Sequence, residues 1–316
     1  MNDAYRSNDA FRDDPFDVAA FDEFDDVDGL RFFAPRTATQ VIGDAIEFVR
    51  ANLRDLLEGI SGFVGPAFAA SLLAGTAALW LLVGDVSIGL GVTLAVLSAI
   101  GLAVTLLLFN AACYAYLWLY HEEGPGMVTP SLLRAETGHL FWPLFGLAVL
   151  IALLSGAAQL VTLVPLLGIL VYLILYIAFL PVLLLPPAIY TLRGAELVES
   201  IVRAYELVKL RWGQAFLTTL LLYLLLMVGF FVASFVPGFV GGLVVASLGL
   251  SGLVGALAFV PMALTMLVLA VVGIFFWNAG AALLYGSLVE QAEGVTLSAR
   301  VDALDDLDAP NAPPSW

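Results

Sequence analysis

The side chains able to do chemistry are few, and they stand at the edges of long apolar runs. His121-Glu122-Glu123 closes one such run and His139 opens the next. A histidine beside two carboxylates suggests a metal site or an acid/base pair. A metal site needs three or four ligands at defined spacing, and no second histidine falls at that distance. The trio reads as a charged helix end at a membrane interface. Cys113 is the only cysteine and sits inside an apolar run, so neither an internal disulfide nor a cysteine metal cluster can form. No HExxH pair, nucleophile elbow or glycine-rich phosphate loop with its lysine occurs in the sequence. No catalytic, cofactor-binding or metal-binding residue is assigned, no cofactor is expected, and an enzyme is disfavoured.

The polar side chains within the apolar runs include Asn110, Gln159 and Asn278, with Thr218 and Thr219. Polar groups inside a membrane mark substrate paths by default, so Asn110, Gln159 and Asn278 form the candidate polar patch. The plainer reading is hydrogen bonding between helices, worth ~0.6 kcal/mol per contact on average. No Asp, Glu, His, Lys or Arg lies deep in these runs, which weighs against intramembrane hydrolysis and against transport coupled to buried carboxylates.

Hydrophobic residues make up 61% of the 316 positions and charged residues 12%, about half the charged share of an ordinary soluble domain. The stretches 86–120, 140–192 and 212–289 carry no Asp, Glu, Lys or Arg. One membrane-crossing helix needs ~20 apolar residues, so each stretch holds more than one span. The net charge of −15 is carried mostly by tails and loops: positions 3–28 hold ten acidic residues against Arg6 and Arg12. Such tails read as solvated and disordered, and they disfavour nucleic acid and anionic lipid as partners. Acid-rich, lysine-poor surfaces are also familiar in salt-adapted organisms. The opening stretch lacks an apolar core beside a basic start, so insertion is expected to be directed by the first true span.

These features predict an all-α integral membrane protein with six transmembrane helices. An acidic tail occupies 1–40, a six-span membrane domain 41–289, and a second acidic tail 290–316. The domain opens with an amphipathic helix at 41–60, where Val41, Ala45, Val49, Leu53, Leu56 and Ile60 recur at helical spacing. Spans follow at about 65–83, 88–120, 140–163, 166–192, 213–235 and 257–288. The second would be ~50 Å long if fully helical, so it must tilt or project. Pro181, Pro186 and Pro187 predict a kink or an early end in the fourth. A second amphipathic segment covers 196–211, with Leu197, Ile201, Tyr205, Val208 and Trp212 on one side and a Glu199–Arg203 pair. The glycine-rich stretch 237–255 reads as re-entrant, interfacial or a seventh span.

All twelve Lys and Arg fall before span one, at Arg134, between Arg193 and Arg211, or at Arg300. Six spans place all four groups on one face and leave the other only Asp85, so both termini are expected in the cytoplasm. An internal repeat is also visible. Ser131-Leu-Leu-Arg-Ala135 and Ser200-Ile-Val-Arg-Ala204 precede spans three and five, and Val49-Arg50-Ala51 precedes span one. Phe109-Asn110-Ala111 is matched by Trp277-Asn278-Ala279. The reading is three units, about 41–120, 128–192 and 195–289, each a cytoplasmic amphipathic helix followed by a transmembrane hairpin.

The stretch from Val41-Ile-Gly-Asp-Ala-Ile-Glu-Phe-Val-Arg-Ala-Asn-Leu53 to Gly65-Pro66 resembles uncharacterised bacterial six-helix inner-membrane proteins. The segment Ser200–Trp212 is similar to the membrane domain attached to some glycerophosphodiester phosphodiesterases. The resemblance implies a multi-pass protein of the bacterial inner membrane with membrane lipids as neighbours, and it carries over no catalytic residue. Three functions follow as expectations: a non-enzymatic bundle with an organising or accessory role, a transporter or channel for a small or amphiphilic substrate, and a lipid-processing accessory. Protein partners and oligomeric state are not legible.

Overall fold

The computed structural model describes residues 32–83, 87–163, 167–249 and 260–294, and every regular element among them is a helix. Helix α1 (Ala38–Ile60) begins with a reciprocal cap. The Thr37 hydroxyl accepts the Gln40 N–H, and the Gln40 side chain accepts the Thr37 N–H, which satisfies two donors that a helix start leaves orphaned. Its buried stripe is Val41, Ala45, Phe48, Val49, Asn52, Leu56 and Ile60. Arg54 and Glu58 pair on the opposite, exposed face at 2.7 Å. The chain then bends by 76° into α2 (Val64–Val83).

Helix α2 packs antiparallel along α3 (Ile88–Glu123). Small residues let the two backbones approach. Gly75 faces Ser98 and Gly101 faces Ser71, where an added Cβ would stand 2.7 and 2.6 Å from the hydroxyl oxygen. The Ser98 hydroxyl donates to the Ser71 carbonyl at 2.7 Å. The 20 residues of α2 span ~30 Å, the thickness of a bilayer's hydrocarbon core. The 36 residues of α3 reach ~54 Å. Its surplus length is the part sheathed by protein: residues 111–117 are all buried, whereas most of 88–108 is exposed or half-exposed.

Thr129 caps α4 (Pro130–Gln159), and a short 3-10 turn, Leu160–Leu163, ends it. Helix α5 (Leu167–Leu184) contains Pro181, and the chain breaks at Leu185 before Pro186 and Pro187 open α6 (Pro186–Arg193). The break arises because proline supplies no N–H and its ring displaces the preceding turn. Then come α7 (Leu197–Leu210), α8 (Trp212–Leu248) and α9 (Val260–Glu293). Helices α8 and α9 pack together, with Gly280 against Leu222 and Gly273 against Leu226. Among the described residues α4 and α5 scarcely touch.

By length and composition five helices can cross a membrane, and a sixth if α1 and α2 count as one bent span. Several expectations change in detail. Residues 32–40 are not a disordered tail: Phe32 and Phe33 are buried, and α1 begins at Ala38. Residues 237–248 are neither re-entrant nor a separate span but the last turns of α8, which runs through Pro237 and stops at Gly249 (φ 60°); residues 250–259 lie outside those described. Ser131–Ala135 does not form a separate amphipathic helix, because α4 runs unbroken from Pro130. The inner face of α7 is Ser200, Ala204, Leu207 and Val208, while Tyr205 and Trp212 are exposed. Arg203 pairs with Glu206 at 3.2 Å and with Glu293, not with Glu199, whose carboxylate turns to the Glu196 N–H.

Helices α3, α6 and α9 meet pairwise at one end of the bundle. Residues 278–290 of α9 are buried without interruption, which on a helix of 3.6 residues per turn means cover on every side. Helix α1 lays its stripe across α9 and α8, so its apolar face is covered by protein.

The close α2–α3 approach gives a test. Gly101→Leu forces the helices apart and should cost about 1–3 kcal/mol, read as a fall in melting temperature in nanodiscs. Gly89→Leu on the same helix, with open space around it, should change little. Equal effects would mean that α2 and α3 do not pack through these residues.

Candidate functional site

Asn110 lies on α3 and Asn278 on α9, at the level where these helices become enclosed. Each continues an apolar helical run, and their neighbours Phe109, Phe275 and Phe276 are buried. Asn278 is 1% exposed, and its Nδ2 donates to Oδ1 of Asn110 at 2.8 Å. The two residues stand 168 positions apart. The amide of Asn278 also lies against the Cys113 thiol, which is fully enclosed one turn along α3 from Asn110.

Gln159 is not part of this patch. It is exposed near the far end of α4, where its Nε2 donates to the Tyr172 hydroxyl of α5 at 3.4 Å. Thr219 is buried on α8 and returns its hydroxyl to the Ala215 carbonyl at 2.8 Å, a bond within its own helix. The patch is therefore a pair of neutral amides bonded to each other, a contact that fixes the register of α3 against α9 and moves no proton. Of the histidines, His121 rests edge-on to Phe32 with ring centroids 5.7 Å apart, and His139 is exposed on α4. No group of three His, Cys, Asp or Glu able to hold a metal occurs among the described residues.

Two further polar clusters escape sequence reading. On the buried stripe of α1, Asn52 accepts the Tyr116 hydroxyl proton at 2.9 Å and donates its own amide to the Phe48 carbonyl at 2.9 Å. An asparagine on an apolar stripe was a legible signal; its partner 64 positions away was not. The second cluster is a strap, residues 32–37, that runs across the end of α9. Phe32 packs edge-on against Phe48 and Tyr120, and Phe33 against Tyr285. The Arg36 N–H donates to the Ser287 hydroxyl at 2.9 Å. Its carbonyl accepts the Gln214 amide at 2.6 Å and the Gln291 amide at 3.4 Å, and its guanidinium bridges Asp44 and the Phe32 carbonyl. The strap backbone lies so close to Gly286 that a Cβ there would stand 2.1 Å from the Phe32 carbonyl oxygen. A shallow open cleft beside it is lined by Pro35, Arg36, Gln40, Gln214 and Gln291.

Comparison with known proteins adds no relative: no family model matches the chain, and no curated protein or solved structure matches it significantly. The class that the fold defines is therefore a helical protein with five or six helices able to cross a membrane.

Two outcomes follow from these contacts. Gly286→Ala should lift the strap, costing about 1–3 kcal/mol and exposing the Arg36 peptide bond to trypsin; Gly138→Ala, in open space, should do neither. A double-mutant cycle of Asn110→Leu with Asn278→Leu should give a coupling of about 0.6–1.7 kcal/mol. A coupling near zero would remove the amide bond from the account of the core.

Proposed function

We propose that this chain is a polytopic inner-membrane protein acting as a non-enzymatic bundle with an organising or accessory role, with six spans and both termini in the cytoplasm. The observation that carries the reading is the Asn110–Asn278 pair. The buried Asn278 and the half-buried Asn110 are bonded to each other where α9 enters the zone, 278–290, in which it is covered on every side. A polar patch serving a substrate path would present free donors and acceptors to a cavity; this pair is spent on joining two helices. The orientation rests on charge: all twelve Lys and Arg fall on one side of a six-span arrangement.

The same reading treats the bundle as three copies of one unit around a common axis. The trailing helices α3, α6 and α9 touch pairwise, and each leading segment lies on the trailing helix of the preceding unit: α4 on α3, α7 on α6, and α1 on α9, closing the ring. Glycines with positive φ follow all three trailing helices, at Gly124, Gly194 and Gly294. The resemblance of Ser200–Trp212 to the membrane domain attached to some glycerophosphodiester phosphodiesterases would suit an accessory place beside lipid metabolism.

The test is to extract the protein with its native membrane patch and identify what accompanies it. The accessory reading expects a protein or lipid enriched in constant ratio, retained when both asparagines become leucine. No enrichment over an unrelated six-span control would sink it. So would solute uptake into proteoliposomes that the double leucine variant abolishes, since that is transporter behaviour.

A further inference from the structure

Helix α7 divides its circumference among three environments. At 100° per residue, Val198, Val202, Tyr205 and Lys209 fall within about a 60° arc. The first three are 66%, 52% and 49% exposed. Glu199, Glu206 and the partly exposed Arg203 occupy the next arc, and Ser200, Ala204, Leu207 and Val208 are buried on the third. A helix at a simple protein–water boundary has two faces, one apolar and one polar. A third, apolar and uncovered, requires a third neighbour.

What covers that face follows from its surroundings. Past the end of α7 the exposed apolar surface continues through Trp212 to Leu217 on α8, a helix long and apolar enough to cross the membrane. Trp212 stacks on Phe216 at 4.9 Å, and tryptophan at the start of a span belongs at headgroup depth. Lys209 and Arg211, both exposed, flank the corner between the two helices. Lys209 is the only lysine in a chain whose net charge is −15. Apolar groups continuous with the lipid-facing wall, and two cations at its edge, match a lipid surface with negative headgroups.

We propose that α7 is an interfacial helix, immersed along Val198, Val202 and Tyr205 in the leaflet on its side of the membrane, and that Lys209 and Arg211 hold the phosphate of an anionic phospholipid there. The proposal rests on the membrane reading above, and its test separates the two. In a Cys113→Ala background, single cysteines replace Val202, Glu199 or Val228, the last exposed on the mid-part of α8. Each variant is placed in nanodiscs and treated with a water-soluble maleimide. Cysteine at 199 should react at least tenfold faster than cysteine at 202 or 228. Equal reaction at 202 and 199, with 228 still protected, overturns the interfacial helix alone. Reaction at 228 as well overturns the membrane reading. A disulfide between two copies through position 202 would show that a second chain, not lipid, covers the face.

The headgroup half is read separately. Acylation of Lys209 by an amine-reactive reagent should be slower in discs containing phosphatidylglycerol than in phosphatidylcholine alone. Lys209→Gln with Arg211→Gln should weaken retention of phosphatidylglycerol over phosphatidylcholine roughly 30-fold, the loss expected for two cations at a lipid surface. Equal acylation in both discs, or unchanged retention in the double variant, would sink the anionic site.

Discussion

The meeting of α3, α6 and α9 is the contact on which the other elements depend. Wherever these helices face lipid, the tails are as apolar as their side chains, so burial gives no advantage over solvation, and association relies on close packing and on bonds between polar groups. Both are concentrated in this zone. Alanines and glycines at Ala111, Ala112, Ala115, Ala279, Gly280, Ala281 and Ala282 bring the helices close, and the asparagine pair sets their register. Beyond it the hairpins diverge, and side chains on α3, α4 and α8 face outward.

A second constraint acts at the ends of the helices, where the chain must cover backbone and polar groups that no longer face lipid. The strap answers it for α9. The Arg36 carbonyl draws donors from Gln214 and Gln291 and its N–H reaches Ser287, so one short segment ties α1, α8 and α9 together. Its close pass over Gly286 is the reason no side chain fits there. The amphipathic helices share this work unequally. The apolar stripe of α1 is covered by protein, and α7 keeps one apolar face against the bundle and another outside it.

Much of this was legible and some was not, for identifiable reasons. The stripe of α1 appears in the sequence as helical spacing, and the helix lies where that spacing placed it. The proline break after Leu184 was equally plain, because proline acts on its own turn. The face of α7 is legible in part: of Leu197, Ile201, Tyr205, Val208 and Trp212, Val208 is buried and Leu197 and Ile201 pack against the core, while Tyr205 and Trp212 turn outward, because a helix with two apolar sides offers no period that says which side the protein takes. Gln159 was grouped with Asn110 and Asn278 on residue type alone, and its position at the end of α4 leaves it outside the pair. The strap gave no signal, since its bonds run mainly through backbone atoms to residues up to 255 positions away.

The sequence by itself determined that the chain is helical, that several helices are long and apolar enough to cross a membrane, and where proline breaks them. These follow from apolar content, helical period and proline, all of which act within a few residues. The tertiary structure alone decided which asparagine meets which, where the amphipathic faces turn, and that a segment before α1 ties the first helix to the last. Those outcomes depend on partners 73 to 255 positions apart. Each such contact is weak, and only the assembled bundle selects among them.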